Sequence, residues 1–230
     1  MAHHDLVVIG GGPAGYAAAL YGAGAGLDVG LIERHKLGGT CLNVGCIPAK
    51  ELLETAAVFR TIGHAEQFGI TTSAPVVDFA KSQVRKQSII DKLVGGLGSM
   101  LKGRKVTVYD GNGSLQTDRS VQVRGGSSGD VDLMSDHVML ATGSAPRTLP
   151  GFEIDGEIVM TSDEFLSLNH VPESAVIIGG GAIGCEFASM LVDLGSQVTL
   201  LEYMPRLIAG ADADCSKVVE RSFKKRGMKI

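Results

Sequence analysis

Tryptophan is absent from this chain of 230 residues, and aromatic residues together make up only 5% of it. Basic excess is absent too: 21 lysines and arginines are scattered among 25 acids, which excludes the positive face that nucleic-acid binders usually carry. Long apolar runs are missing. The first, Leu6 to Ile9, is far shorter than a membrane span of about 20 residues or the core of a signal peptide. Cysteine is scarce at 4 residues, which excludes a disulfide-dense scaffold, and no metal-type spacing of cysteine and histidine occurs, so no metal is expected. Together these absences predict a cytoplasmic protein with neither membrane nor nucleic acid as partner. In a reducing compartment a disulfide is usually catalytic or redox-sensing.

What the chain has in quantity is glycine, 32 residues, beside 44% hydrophobic residues, the composition of a turn-rich α/β protein. Its length permits one domain or two. The segment from Val7 to Glu33 aligns without a gap on that from Val176 to Glu202, at a constant offset of 169, with 11 of 27 positions identical. Each copy opens on a short apolar run (Leu6-Val7-Val8-Ile9; Ala175-Val176-Ile177-Ile178), the pattern of a strand covered on both faces. A Gly-x-Gly-x-x-Gly turn follows (Gly10, Gly12, Gly15; Gly179, Gly181, Gly184), then a helical stretch and a second apolar run ending in Glu33 or Glu202.

The spacing has a physical reason. The first glycine makes a tight turn, the second lets backbone approach a pyrophosphate, and the third lets helix pack on strand. The helix N-terminus supplies N–H groups and partial positive charge, and the acid about 20 residues on accepts from a ribose hydroxyl. One such turn is weak evidence; two in the same context imply two dinucleotides. A carboxylate at Glu202 would repel a 2′-phosphate, which favours NAD over NADP in the second copy. Arg206, four residues beyond Glu202, is placed to meet such a phosphate, although an exposed arginine after a strand is the commoner case.

Between the copies, 47–64 reads as a helix begun at Pro48, and 78–101 as a second long helix capped near Asp78. Short β signals follow at 106–109, 120–123 and 137–140, and the glycine-rich run 125–130 reads as a hairpin tip. Lys229-Ile230 reads as the start of another strand, leaving the last sheet with an open edge. The predicted fold class is α/β, with two Rossmann-like FAD/NAD(P)-binding domains, the second incomplete, and a β-meander closing the first. The expected boundaries are 1–148 for the FAD-binding domain with a redox disulfide, and 149–230 for the N-terminal part of an NAD-binding domain.

Cys41 and Cys46 lie directly after the first copy, in GGTCLNVGCIPAK from Gly38 to Lys50. Closing so short a loop, about 6 residues, removes only roughly 2 kcal/mol of unfolded-chain entropy, so chemistry explains the pair better than stapling does. Thiol exchange needs a thiolate, and a helix N-terminus or a nearby cation such as Lys50 favours one. Cys185 and Cys215 have no metal-type partners and read as small apolar residues.

This segment resembles the active-site signature of the pyridine nucleotide–disulfide oxidoreductases, and its CLNVGCIP core is most similar to the dihydrolipoyl dehydrogenase branch. GGGPAG, ATGSAPR from Ala141 to Arg147, and VIIGGGAIGCEFA from Val176 to Ala188 fall in that family's order. The resemblance implies that Cys46 faces the flavin, giving a charge-transfer complex, and that Cys41 is the interchange thiol. It places Lys50 near flavin N5, paired with Glu186. It implies FAD held by Gly10, Gly12, Pro13, Ala14, Gly15, Glu33, Arg34, Gly39, Thr40, Lys50, Ala141, Thr142 and Gly143. NAD would be held by Gly179, Gly181, Ile183, Gly184 and Glu202. The expected substrate is a lipoyl-bearing protein or a small disulfide, and the expected full-length form is a homodimer.

The sequence departs from the family in two ways. Ala49 replaces a common serine, and the C-terminal dimerisation domain with its His–Glu acid/base pair has no counterpart among the six histidines. The resemblance therefore implies a truncated portion of a longer enzyme, with weak FAD binding and without full lipoamide turnover. Two rival readings are a mercuric or glutathione-type reductase, which more often carries CVNVGCVP, and a catalytically inactive nucleotide- or redox-sensing module.

Overall fold

Val7, Val8 and Ile9 are all buried, yet they alternate between two apolar clusters, as successive strand residues must. Val8 joins Val29, Leu31, Leu97 and Leu101 on one face, and Val7 and Ile9 join Ile32, Val121, Val123 and Leu133 on the other. Covering both faces is what the near-continuous apolar run requires. The computed structural model describes residues 2–127 and 129–230. Ser128, in the expected hairpin tip, lies outside the described residues.

By packing, the chain divides into one unit of 1–47 with 88–154, and a second of 48–87 with 155–230. The first unit holds β1 (Ala2–Ile9), α1 (Pro13–Gly24), β2 (Val29–Glu33), α2 (Gly39–Asn43) and most of α4 (Phe79–Gly103), then β3 (Thr107–Asp110), β4 (Asn112–Leu115), β5 (Val121–Arg124) and β6 (Val131–Leu140). Its single sheet has the order β3-β2-β1-β6-β5-β4. The first four strands run parallel, and β6, β5 and β4 pair antiparallel. The expected meander is therefore present, but as β4-β5-β6. The run at 106–109 contributes instead to β3, which pairs in parallel with β2 at the opposite edge. β6 is ten residues long, extending well before its expected start, and pairs with both β1 and β5.

The second unit holds α3 (Cys46–Gly63) from Pro48 onward, the start of α4, α5 (Ser162–Phe165), β7 (Ser174–Ile178), α6 (Ala182–Asp193), β8 (Gln197–Leu201) and α7 (Ala213–Lys225). β7 and β8 pair in parallel, and Lys229 adds a parallel bridge beside Thr199, where the sequence suggested a further strand. One side of this ribbon carries Val176, Ile178 and Leu201, all exposed. The division by packing is discontinuous, unlike the expected 148/149 boundary between cofactor-binding domains, for a physical reason. Leu52 and Ala56 of α3 and Phe79 of α4 belong to the same apolar cluster as Ala188, Leu191, Leu200 and Phe223. Ion pairs reinforce it: Arg60 Nη1 donates to Asp193 Oδ2 at 2.5 Å and Arg226 Nη2 lies 2.6 Å from Oδ1.

Candidate functional site: two glycine turns and a cysteine loop

Both glycine turns are built the same way, atom by atom. Gly10 N–H donates to Ile32 O at 2.8 Å and Gly179 N–H to Leu201 O at 2.8 Å, fixing each turn to the end of the second strand. Gly10 has φ +110° and Gly179 φ +112°, a conformation that L side chains rarely adopt. A Cβ on Gly15 would lie 1.7 Å from Gly10 O, and one on Gly184 1.9 Å from Gly179 O, so only glycine lets each helix start this close to its strand.

The acids are fixed as well. Glu33 Oε2 accepts from Gly11 N–H at 2.7 Å and Oε1 from His35 N–H at 2.8 Å. In the second copy, Glu202 Oε2 accepts from Gly180 N–H at 2.6 Å and Oε1 from Met204 N–H at 2.7 Å. These bonds, Met204 first and Gly180 second, hold the Glu202 carboxyl below its ordinary range. The loops beyond the acids agree too: Gly38 N–H donates to Gly11 O at 2.8 Å, and Ile208 N–H to Gly180 O at 2.7 Å.

Whether a dinucleotide suits these turns can be tested on the helix ends. α1 begins at Gly12 and α6 at Gly181, both extended, neither with a side-chain cap nor an acid in the first turn. Among the described residues no side chain caps the start of either helix, whereas α7 is capped by Asp212 and α5 by a Thr161–Glu164 capping box. Around the first turn the walls are backbone. A Cβ on Gly39 would lie 2.7 Å from Gly12 Cα, and one on Gly10 would lie 2.2 Å from Ala141 O. A phosphate fits such an uncapped, glycine-walled helix start.

The remaining predicted residues fall as follows. Pro13 and Ala14 open α1 and are exposed, as are Thr142 and Gly143 just past β6. Arg34 is exposed beside Glu33, and Thr40 is exposed within α2. Ile183 is exposed in the first turn of α6. Cys41 is half-buried in α2, and Cys46 is exposed as the first residue of α3, whose first turn holds no acid. Lys50 stands one turn further along α3 and packs with the second unit, where its Nζ donates to Glu186 Oε1 at 2.6 Å. Arg206 is half-buried rather than exposed, and its Nη2 donates to Ala209 O at 2.8 Å and Ala211 O at 3.1 Å. Cys185 is buried, and burial, then Glu202 and Glu186, push its thiol upward; Cys215 is exposed rather than core.

Sequence reasoning missed Gly11, Gly180, Leu37, Leu207 and Asn43. A Cβ on Gly11 would meet Glu33 Oε2 at 3.0 Å and Leu37 Cδ2 at 3.1 Å; one on Gly180 would meet Leu207 Cδ2 at 2.4 Å and Glu202 Oε2 at 3.1 Å. The signal was legible, because the first variable position of the turn is glycine in both copies.

The fold and site define a Rossmann-type α/β protein with two like glycine turns and a loop bearing two cysteines joined to the first. The sequence model for "Pyridine nucleotide-disulphide oxidoreductase" matches residues 4–230, and the chain belongs to that family. It is 44% identical over 236 residues to a dihydrolipoyl dehydrogenase of Bacillus subtilis (strain 168), covering 99% of this chain and 50% of the relative. It is 40% identical over 228 residues to the dihydrolipoyl dehydrogenase of Chlamydia trachomatis, covering 98% and 49%. Among solved structures, LpdA from Mycobacterium tuberculosis superposes with a TM-score of 0.91 at 26% identity, covering all of this chain and 50% of that one. The Cu(II) complex of the HOCl-induced flavoprotein disulfide reductase RclA from Escherichia coli gives 0.80 at 30%, covering 100% and 49%. The chain spans about half the length of the curated relatives it matches.

Proposed function

We propose that this chain is the cofactor-binding part of a flavoprotein disulfide oxidoreductase that oxidises a protein-bound dihydrolipoyl dithiol, with NAD as final acceptor. Residues 1–148 bind FAD on the first glycine turn, and 149–230 bind NAD on the second. The observation that carries this reading is the atomic duplication of the turn and its glutamate, with the cysteine loop joined to the first copy alone. The names of the relatives support the dithiol substrate. A lipoyl-bearing protein is the partner, the working form is a homodimer, and the compartment is the cytoplasm.

The protein's own part of the reaction is thiol exchange. One substrate thiolate attacks the Cys41 sulfur of the Cys41–Cys46 disulfide, and the Cys46 sulfur leaves with the electron pair. The second substrate thiol then closes on the first substrate sulfur and releases Cys41, so substrate is oxidised and the cysteine pair reduced. Bound FAD supplies the means to accept that electron pair from Cys46 and deliver it as hydride to NAD. Lys50 and Glu186 form an exposed pair, a kind that contributes at most about 1 kcal/mol to stability. Its use is electrostatic, keeping an ammonium in place one turn after Cys46. Glu202 orients the ribose of NAD, and its carboxylate disfavours a 2′-phosphate there, while Arg206 Nη2 is engaged by carbonyl oxygens of its own loop.

The test is binding and dithiol reduction on the purified protein supplied with FAD. NADH binding at least tenfold tighter than NADPH, and dihydrolipoamide-dependent long-wavelength absorbance that is lost in Cys46→Ser, support the reading. Equal affinity for NADPH, or reduction indifferent to Cys46→Ser, overturns it.

A further inference from the structure

Asn43 sits between the two cysteines and reaches backwards. Its Nδ2 donates to Leu37 O at 3.0 Å and to Gly39 O at 3.0 Å, while its Oδ1 is buried with no hydrogen-bond partner among the described residues. Both acceptors belong to the segment that leans on the first glycine turn. Gly38 N–H bonds to Gly11 O, and Leu37 Cδ2 is the atom a Cβ on Gly11 would meet at 3.1 Å. One carboxamide therefore closes a circuit with the dinucleotide turn at one end and Cys41 at the other.

The circuit matters because α2 is five residues long. An isolated helix needs about 12–15 residues to persist in water, so α2 holds Cys41 in place only while something outside it ties it down. The second copy shows the alternative. There the corresponding loop is tied by the Arg206 guanidinium, the next helix is capped by Asp212, and no cysteine pair is present. The first copy uses a neutral donor, which orders the loop without adding charge beside the sulfurs.

We propose that Asn43 is a positioning residue: through Leu37 and Gly39 it sets where Cys41 stands relative to Cys46 and couples that placement to the first glycine turn. The inference rests on the reading of Cys41 and Cys46 as a redox pair. Asn43 acts through the cysteines, so its signature is the thiol–disulfide equilibrium of that pair.

The experiment is redox titration of the purified protein in a Cys215→Ser background. Each oxidised glutathione is reduced to two glutathiones as the two thiols form one disulfide, and the Cys41–Cys46 bond is quantified by alkylation and peptide mapping. Asn43→Ala lowers the equilibrium constant for closing the bond about tenfold, the weight of one to two neutral hydrogen bonds. Asn43→Asp lowers it further, because a carboxylate then faces two carbonyl oxygens. If Asn43→Asp does not fold, Asn43→Ala decides alone. Amide exchange is the second readout: Gly38 and Leu42 N–H groups exchange faster in Asn43→Ala than in the parent, while that of Gly10 does not change. Variants that close the bond as readily as the parent overturn this inference and leave the redox reading standing. A parent that forms no Cys41–Cys46 bond overturns both.

Discussion

Gly180 donates its backbone N–H to Glu202 Oε2 at 2.6 Å, and the other carboxylate oxygen is taken by Met204 N–H. The acid is thus aimed by the second glycine turn; on the proposed reading that turn receives the pyrophosphate, and each carboxylate oxygen keeps a lone pair for a ribose hydroxyl. Glu202→Gln places an amide where both groups must accept, so NADH affinity falls about tenfold or more while the preference against NADPH narrows. Calorimetry with both nucleotides checks this. Because its backbone bonds lower the Glu202 pKa, the group stays ionised above the ordinary carboxylate value of about 4.3. NADH affinity therefore shows no titration from this residue between about pH 5 and 8, and weakens only as pH falls through the lowered value. A Glu202-dependent break near pH 7 contradicts the assignment.

Gly10 and Gly179 share a φ near +110° but not a neighbourhood. A Cβ on Gly10 would lie 2.2 Å from Ala141 O, whereas one on Gly179 has nothing within 4 Å. Gly179→Ala therefore carries backbone strain alone, about 1–3 kcal/mol. Gly10→Ala adds a collision with β6's exit and destabilises by about 3 kcal/mol or more. Urea unfolding of the two variants side by side gives the comparison; equal losses would show that the Ala141 contact is soft.

The parts of this fold that were legible in the sequence are those set by local sterics. Glycine spacing, the apolar runs and the terminal glutamates define both turns, and the identical residues Ala19 and Ala188, Val29 and Val198, Leu31 and Leu200 are all buried. The parts that were not legible depend on distant partners. Asn112–Leu115 has little intrinsic strand preference and is a strand because it pairs with β5. The discontinuous units follow from where Leu52 and Ala56 find apolar neighbours, which no local pattern encodes. Asn43 was hidden for the same reason: its role is two backbone acceptors at 37 and 39, visible only once the loop has folded.

The Asp193 side chain is 8% exposed and accepts from two arginines, Arg60 and Arg226. Arg226 also donates to Ser189 Oγ at 3.0 Å and to Ser189 O at 2.6 Å, so the carboxylate joins α3, α6 and the end of α7. Removing one partner from a buried pair costs about 3–5 kcal/mol, and the partial exposure of both guanidiniums reduces that here. Asp193→Ala is expected to lose about 2 kcal/mol, and Asp193→Asn rather less, since an amide oxygen still accepts. A thermal midpoint unchanged in Asp193→Ala would show the pair to be idle.

Lys86 is buried, and its Nζ donates to Leu166 O at 2.6 Å while Gln83 Nε2, one turn earlier, donates to Leu168 O at 2.7 Å. Burial penalises the ammonium and lowers its pKa below the ordinary lysine value of about 10.4. Between the lowered folded value and the unfolded one, the unfolded chain binds the proton and the folded chain does not. Stability therefore rises with pH across that window, and the cost of burying the charge is felt in full below it. A neutral amine still donates to Leu166 O, so the bond survives deprotonation. Lys86→Met removes the titration and leaves Leu166 O unpaired at every pH, a constant loss that cancels when two pH values are compared. The Cys185 thiol, raised by burial, titrates in both proteins and cancels as well. Denaturation at pH 7 and pH 10 should thus show the parent gaining stability relative to Lys86→Met at the higher pH; a constant gap, or one of opposite sign, would mean that the ammonium is not penalised by its surroundings.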